Sequence, residues 1–487
     1  MARTVRNTRE LAAGCAADAV RHHRYAYRSA LSLLAATIAV ASSLLPPRIA
    51  TAGPNCPPFC FGPSSWTLQF PGAAGTSVGS ALAAVPDGGL VVAGIHDPDG
   101  VGGPRIAIER LSPQLLPVVD WSIETAPPPS EDGPVYGLTV DDVKWLPAGG
   151  AVVVGTLHTK QANAPDGAVG KKIIWVQRIG ADGSPDVGFG PSGLRYYGTS
   201  AAPLPGDFIA LVPRLRATLQ TDGKLLLAGA VTNQNPDQGL WSAAVLRVLP
   251  AGGVDPSFDG DGVAIVPPFG GEARAFDVAV DSSGRVLVVG NAFTPQSWGG
   301  FLARLHPDGT LDLDFTASDP DHVRHLDWQS AEIVKTDALG RILVGGASLT
   351  ATKKYALTRL YANGVNDFSF DNDSRVVDNP FAANGDSPAL SDLVIGGSNQ
   401  VVAIAWPKWP TLSKPPASPL GFYAVFYDDE GQRDYSKGSK GVVRRSFPAS
   451  YTHVYTAGAA VGSNGVVWST GYVWGDAAVS AVGLARF

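Results

Sequence analysis

Tryptophan recurs in loops and aspartate at a fixed spacing in this sequence, and each brings a definite chemistry. Trp241, Trp298, Trp406, Trp409 and Trp474 each stand in a loop expected between two apolar strands. Indole faces there suit sugar rings, a cationic group or a peptide. The segment AWPKWPTLSKPPASPLG around Trp406 and Trp409 is Pro-rich, hence stiff, and loses little entropy on binding. The same indoles would also serve to fill gaps between packed sheets. Asp142, Asp277 and Asp392 lie thirteen residues before Gly155, Gly290 and Ala405, and Glu332 lies fourteen before Gly346. Acids repeated in this way would line a channel and attract a cation, or would bond to the backbone of a neighbouring strand.

Other signatures are weaker. The stretch DPDHVRHLDW carries Asp319, Asp321, His322, His325 and Asp327, a set suited to a transition metal or to a solvated loop. The turns at Asp97 and Asp99 and at Asp259 and Asp261 resemble the start of a calcium loop, without the later ligands at the required spacing. Calcium is therefore the one cofactor left open, and no metal ligands are assigned. Gly75–Gly79 matches G-x-S-x-G by letters, but in a Gly-rich loop and not at a strand-to-helix elbow. P-loop, dinucleotide, zinc-quartet and haem motifs are missing. No catalytic residue is assigned.

The elements that must position these residues form a repeat. A small turn and an apolar strand end at Gly94, Gly155, Gly229, Gly290, Gly346, Ala405 and Gly471. A second strand follows each, ending in most repeats with Arg and an apolar residue, as in IAIERL, IWVQRI and YALTRL. In the middle repeats a turn of the form Asp-x-x-Phe comes next. Arg178 and Asp186, Arg247 and Asp255, Arg304 and Asp312, and Arg359 and Asp367 are each eight apart. That constant interval predicts Arg–carboxylate pairs pinning a hairpin. Each unit of about 60 residues reads as four short strands, and seven such units predict an all-β, seven-bladed β-propeller. The last repeat stops after Arg486, while Phe61–Trp66 (FGPSSW) matches the end of repeat two (FGPSGL). The expectation is a ring closed by an N-terminal strand that completes the last blade.

Composition agrees. Of 487 residues 45% are apolar and only 16% charged, with 57 Gly and 39 Pro. That excludes a disordered chain and long helices. An Arg-rich start, the uncharged run from Ser29 to Pro47 and the A-x-A site at Ala50–Ala52 read as a signal peptide over 1–52, followed by a single propeller domain over 53–487. Without residues 1–52 the chain has 30 Lys and Arg against 41 Asp and Glu, a net charge of about −11. That argues against nucleic acid as a partner, and no membrane span is expected in the mature chain. Cys56 and Cys60 (CPPFC) are expected to form a small disulfide in an oxidising compartment.

Units such as TDGKLLLAG…AAVLRVLPAGGVDPSFDGDGV resemble the bacterial delta-60 repeat family over about residues 61–487. Repeats two to five are close to the pattern; one, six and seven depart from it. The resemblance implies an exported propeller-like protein, in the periplasm, cell envelope or medium of a bacterium, and implies no activity. The expected function is a secreted binding or scaffold module whose ligand, a saccharide or a protein, meets the Trp-bearing loops. Alternatives are a metal-assisted hydrolase or lyase acting on a polymer at the same face, and a purely structural envelope protein.

Overall fold

A computed structural model describes residues 65–68, 76–97, 104–126, 135–159, 172–200, 202–209, 215–232, 241–266, 272–293, 298–316, 319, 321–326, 329–349, 353–408, 418–447, 451–474 and 481–487. The signal peptide and the Cys56–Cys60 pair lie outside them. Among the described residues no helix is long and apolar enough to cross a membrane. The chain divides into residues 1–66 and 67–487, and every strand from residue 76 onward belongs to the second unit.

Seven antiparallel four-stranded sheets follow one another as blades, an all-β, seven-bladed propeller arrangement. In the first blade the innermost strand β2 (Thr76–Ala84) pairs with β3 (Leu90–Asp97), then β4 (Arg105–Leu111) and β5 (Pro117–Thr125). Blade two runs from β6 (Val135–Trp145) through β7 (Ala151–Thr159) and β8 (Lys172–Ile179) to β9 (Leu194–Tyr197). The second strands carry almost unbroken buried runs and not an alternating pattern. A strand reads this way when both faces of its sheet are covered, here by the neighbouring blades. Large buried clusters accordingly span adjacent blades, such as Val152, Val154 and Val176 with Leu225, Leu227 and Leu246.

The recurring Gly, expected to end the second strand, lies inside it, as Gly155 does in β7, and has a local cause. The innermost strand carries a β-bulge opposite it, at Val140/Asp142 in blade two and Ala275/Asp277 in blade four. The bulge presses a carbonyl onto the Gly. A Cβ at Gly155 would stand 2.0 Å from the Thr139 oxygen, and one at Gly290 would stand 1.8 Å from the Arg274 oxygen. No side chain fits there.

The expected ring closed by an N-terminal strand is corrected. Among the described residues no sheet is closed; each is an open ladder with two edges. The strand β1 (Ser65–Leu68) is an edge strand of the last sheet, in the order β1–β28–β27–β26, with β26 (His453–Val461), β27 (Val467–Trp474) and β28 (Ala481–Arg486). First and last blades meet by packing and not through a shared ladder: β2 lies against β26, β27 and β28. A Cβ at Gly79 would fall 2.4 Å from Val482 Cγ1. Blades seat face to face, so covered faces hold the ends of the array together.

One buried acid in this frame predicts a pH effect. Glu109, on β4, is 1% exposed, and neither of its carboxylate oxygens meets a hydrogen-bond partner. Burial pushes its carboxyl up to about 7. A raised carboxyl costs nothing below its unfolded value near 4.5, and the cost grows as pH rises toward 7, then levels off. Glu109→Gln should therefore raise stability by about 1–3 kcal/mol at pH 8 and change little at pH 4.5. Equal offsets in denaturant midpoint at both pH values would show that ionisation of Glu109 is not the cause.

Candidate functional site

Residues singled out by the sequence fall at three places. The first is the end of the blades where second strands finish and third strands begin. Trp241 opens β12 (Trp241–Val248) and is half-buried. Trp298 opens β16 (Trp298–Leu305), opposite Phe293 in β15 (Val286–Phe293). Trp409 lies outside the described residues. Trp406, in β23 (Val401–Pro407), and Trp474, ending β27, come together on neighbouring blades. Strand register sets His453 opposite Trp474 and Tyr455 opposite Tyr472. His453 stacks on Trp474 at 4.4 Å between ring centres, and Tyr455 and Tyr472 lie 5.2 and 5.3 Å from the same indole, nearly parallel. Trp406 meets Tyr455 edge-on at 4.7 Å. All five rings are half-buried. Burial pushes the Tyr455 hydroxyl up to about 12 and raises that of Tyr472, so both stay neutral donors. His453, Tyr455 and Tyr472 are not among the residues the motifs single out, although their alternation (HVY, YVW) is the signal of a strand with one aromatic face.

The second place is the axis. Innermost strands are sheet edges, whose inward N–H groups lack a ladder partner. The bulge turns an acid toward such groups in every second blade. Asp142 accepts from Val143 N at 2.8 Å and from Ala217 N, in blade three, at 3.0 Å. Asp277 accepts from Val278 N at 2.9 Å and from Val334 N, in blade five, at 3.0 Å. Asp392 accepts from Leu393 N at 2.9 Å and from Ala459 N, in blade seven, at 3.1 Å. Glu332 does not join them; the Ser330 hydroxyl donates to it at 2.7 Å.

Cations interleave these acids. Arg216 reaches across the axis, donating to Asp392 at 3.3 Å and to the Ser391 carbonyl at 2.8 Å. Lys144 donates to Asp142 at 2.9 Å, and Lys335 stands 3.5 Å from Asp392. Burial would raise Asp142, but Lys144 and Arg216 outweigh it and hold the carboxyl below its ordinary range. Burial wins at Asp277, which is raised. Burial would lower Arg216, yet Asp392, Asp277 and Asp142 raise it. A cavity of about 390 Å³ runs along these residues. Three carboxylates face three cations, so it carries balanced charge and not the field of an acidic ring. Arg216 stands thirteen residues before Gly229, the same count that locates the acids, and Lys144 and Lys335 each stand eleven before their Gly. The spacing of the cations was thus a signal in the sequence as well, hidden because one count serves two signs of charge.

The third place is the turn at the opposite end of the blades. Nε of Arg178, Arg247, Arg304 and Arg359 lies 3.0, 2.8, 2.7 and 2.7 Å from Asp186, Asp255, Asp312 and Asp367. Each guanidinium also donates to a carbonyl of the next blade, at Pro250, Pro307, Ala362 and Asp429. Arg247, Arg304 and Arg359 lie over Phe258, Phe315 and Phe370 at 4.3 to 4.6 Å. These Arg residues therefore join blades as well as pin hairpins. Where Phe426 replaces the Arg in blade six, Asp434 accepts from Gln400 at 3.0 Å, and Arg433 pairs instead with Asp378 at 2.6 Å. In the polar loop of blade four, His325 meets Asp321 at 2.8 Å; Asp327 lies outside the described residues.

Residues 220–258 and 282–315 match a family described as a domain of unknown function (DUF5122) beta-propeller. No curated protein matches the chain. Among solved structures it is similar to a protein of unknown function from Dyadobacter fermentans, at 9% identity and TM-score 0.43, over 87% of this chain and 99% of that one. It is also similar to the beta-propeller domain of the Trilobed protease from Pyrococcus furiosus, at 10% identity and TM-score 0.41, over 84% and 93%. A third is the alpha-L-arabinofuranosidase Arb93A from Fusarium graminearum, at 10% identity and TM-score 0.39, over 84% and 92%.

Proposed function

We propose that this chain is an exported binding propeller, of the delta-60 type its repeats resemble, whose ligand is a saccharide held at the seam of blades six and seven. The reading takes residues 1–52 as a signal peptide and 53–487 as the working domain. One observation carries it. Trp406, His453, Tyr455, Tyr472 and Trp474 bring five half-buried rings together at strand ends. Such a cluster offers apolar faces fixed by their own stacking, so little entropy is lost when a pyranose ring lies on them. Trp241 and Trp298, at the same end of blades three and four, would extend the contact along a longer chain.

The test is a tryptophan-fluorescence titration of residues 53–487 with a panel of soluble polysaccharides. Saturable quenching by at least one of them is expected. Trp474→Ala should weaken that binding roughly tenfold or more, while Trp474→Phe, which keeps a ring, should retain most of it. Unchanged affinity in Trp474→Ala, or silence across the panel, would sink the saccharide reading.

A further inference from the structure

The residue after the pinning Asp is apolar and exposed in blade after blade. It is Val187 in blade two, Leu313 in four, Phe368 in five and Tyr435 in six, at 79%, 57%, 62% and 69% exposure. In blade three Pro256 holds the position and is also exposed. A large apolar side chain left in water once is ordinary; the same register position repeated around an array is a pattern. The frame beneath it is fixed. Each Asp caps its own turn, and in blades two to five it is held by the Arg that also reaches the next blade, while in blade six Gln400 holds Asp434. Adjoining turns touch directly, with Asp259 N donating to Asp308 O and Asp371 N to Glu430 O, both at 2.7 Å. The tips of blades two to six therefore stand on a belt of turns linked from one blade to the next. That belt sits at the end of the third strands opposite Trp241 and Trp298, away from the aromatic cluster.

Charge around the tips narrows the occupant. Asp259, Asp308, Asp314 and Asp373 are exposed between them, against the exposed cations Arg195 in blade two and Lys437 and Lys440 in blade six. The Asp259 carboxyl is raised by partial burial first and then by the like charges of Asp261 and Asp308, whereas hydrogen bonds from Thr310 lower that of Asp308. A second copy would set this acidic belt against itself, and an anionic lipid surface would be repelled too.

We propose that the belt is a docking surface for a protein partner whose contacting segment is apolar and rich in Lys or Arg. The interaction is separate from the saccharide reading, since it uses the opposite end of the blades. The probe is a fluorescein-labelled 14-residue peptide of alternating Leu and Lys, titrated by anisotropy against residues 53–487. The matching Leu–Glu peptide, phosphatidylglycerol vesicles and light scattering of the protein alone complete the set. Saturable, salt-sensitive binding of the Leu–Lys peptide is expected. It should weaken roughly tenfold in V187S/L313S/F368S/Y435S, and also in D259N/D308N/D314N/D373N. All eight positions are exposed, so circular dichroism should show both variants folded. The proposal is overturned if the serine variant binds within about twofold of the parent, if the Leu–Glu peptide binds equally, or if the tips prove to mediate dimerisation or vesicle binding.

Discussion

Replacing Arg216 by Met is expected to lower stability by about 3–5 kcal/mol at pH 8, measured as the denaturant midpoint of residues 53–487. The side chain is 10% exposed and Asp392 is 5% exposed, so neither charge can be handed back to water. Arg216 is also the cation shared by the three axial carboxylates. Without it, Asp142 keeps Lys144 and Asp392 keeps Lys335, but Asp277 is left with the backbone donors Val278 and Val334 and the longer-range field of Lys335. Its carboxyl is already raised by burial, and loss of Arg216 raises it further. A carboxyl raised in the folded state leaves stability intact below its unfolded value and erodes it as pH climbs through the folded one. The deficit of Arg216→Met should therefore shrink toward pH 4 and be largest near pH 8. The double variant Arg216→Met/Asp277→Asn should recover part of the loss, because the carboxylate left without a close cation is then neutral while its backbone donors keep an acceptor. A deficit independent of pH, or a double variant worse than the sum of the singles, would show that Arg216 acts by packing alone.

The second large effect concerns the Arg residues that join blades. Arg304→Met should cost about 3 kcal/mol or more, whereas Arg178→Met should cost roughly 1 kcal/mol or less. The two share sequence context and differ in burial. Arg304 and Asp312 are 4% and 3% exposed, and Arg178 and Asp186 are 21% and 33%. In the buried case Asp312 would retain the Asp314 N–H at 3.1 Å and, among side chains, Arg285 and His306, each at 3.9 Å. The carbonyl of Ala362 in the next blade would lose its donor, and the face of Phe315 its cation. Arg304→Lys should recover little, since an ammonium cannot reach the carboxylate, the carbonyl and the ring together. Equal midpoints for the Arg178 and Arg304 variants would mean that burial does not set the worth of these pairs.

The contrast between these two effects separates what is local in the sequence from what is not. The Arg and Asp eight apart are joined by one short turn, so their meeting follows from local geometry and shows as a constant interval. The Gly within the second strand is equally plain, and its cause in blades two and four, the bulged carbonyl opposite, is a contact within one hairpin. Periodicity of these local units determined the blade and the count of seven. What a residue meets across the molecule is not encoded that way. Arg216 and Asp392 are 176 positions apart and touch only because the blades surround an axis. The axial acids stand out by their spacing, but their partners are backbone groups of the next blade, which no motif announces. The supposed closing strand rested on an alignment of letters, whereas the sheets stay open and the first and last blades meet by packed faces. Trp406 and Trp474 are visible as residue types, and only the seating of blade six on blade seven makes them parts of one cluster. Local spacing determined the repeated unit because a hairpin closes over a few residues; the tertiary structure decided the charges and rings that meet, because blade packing joins positions whose separation along the chain carries no period.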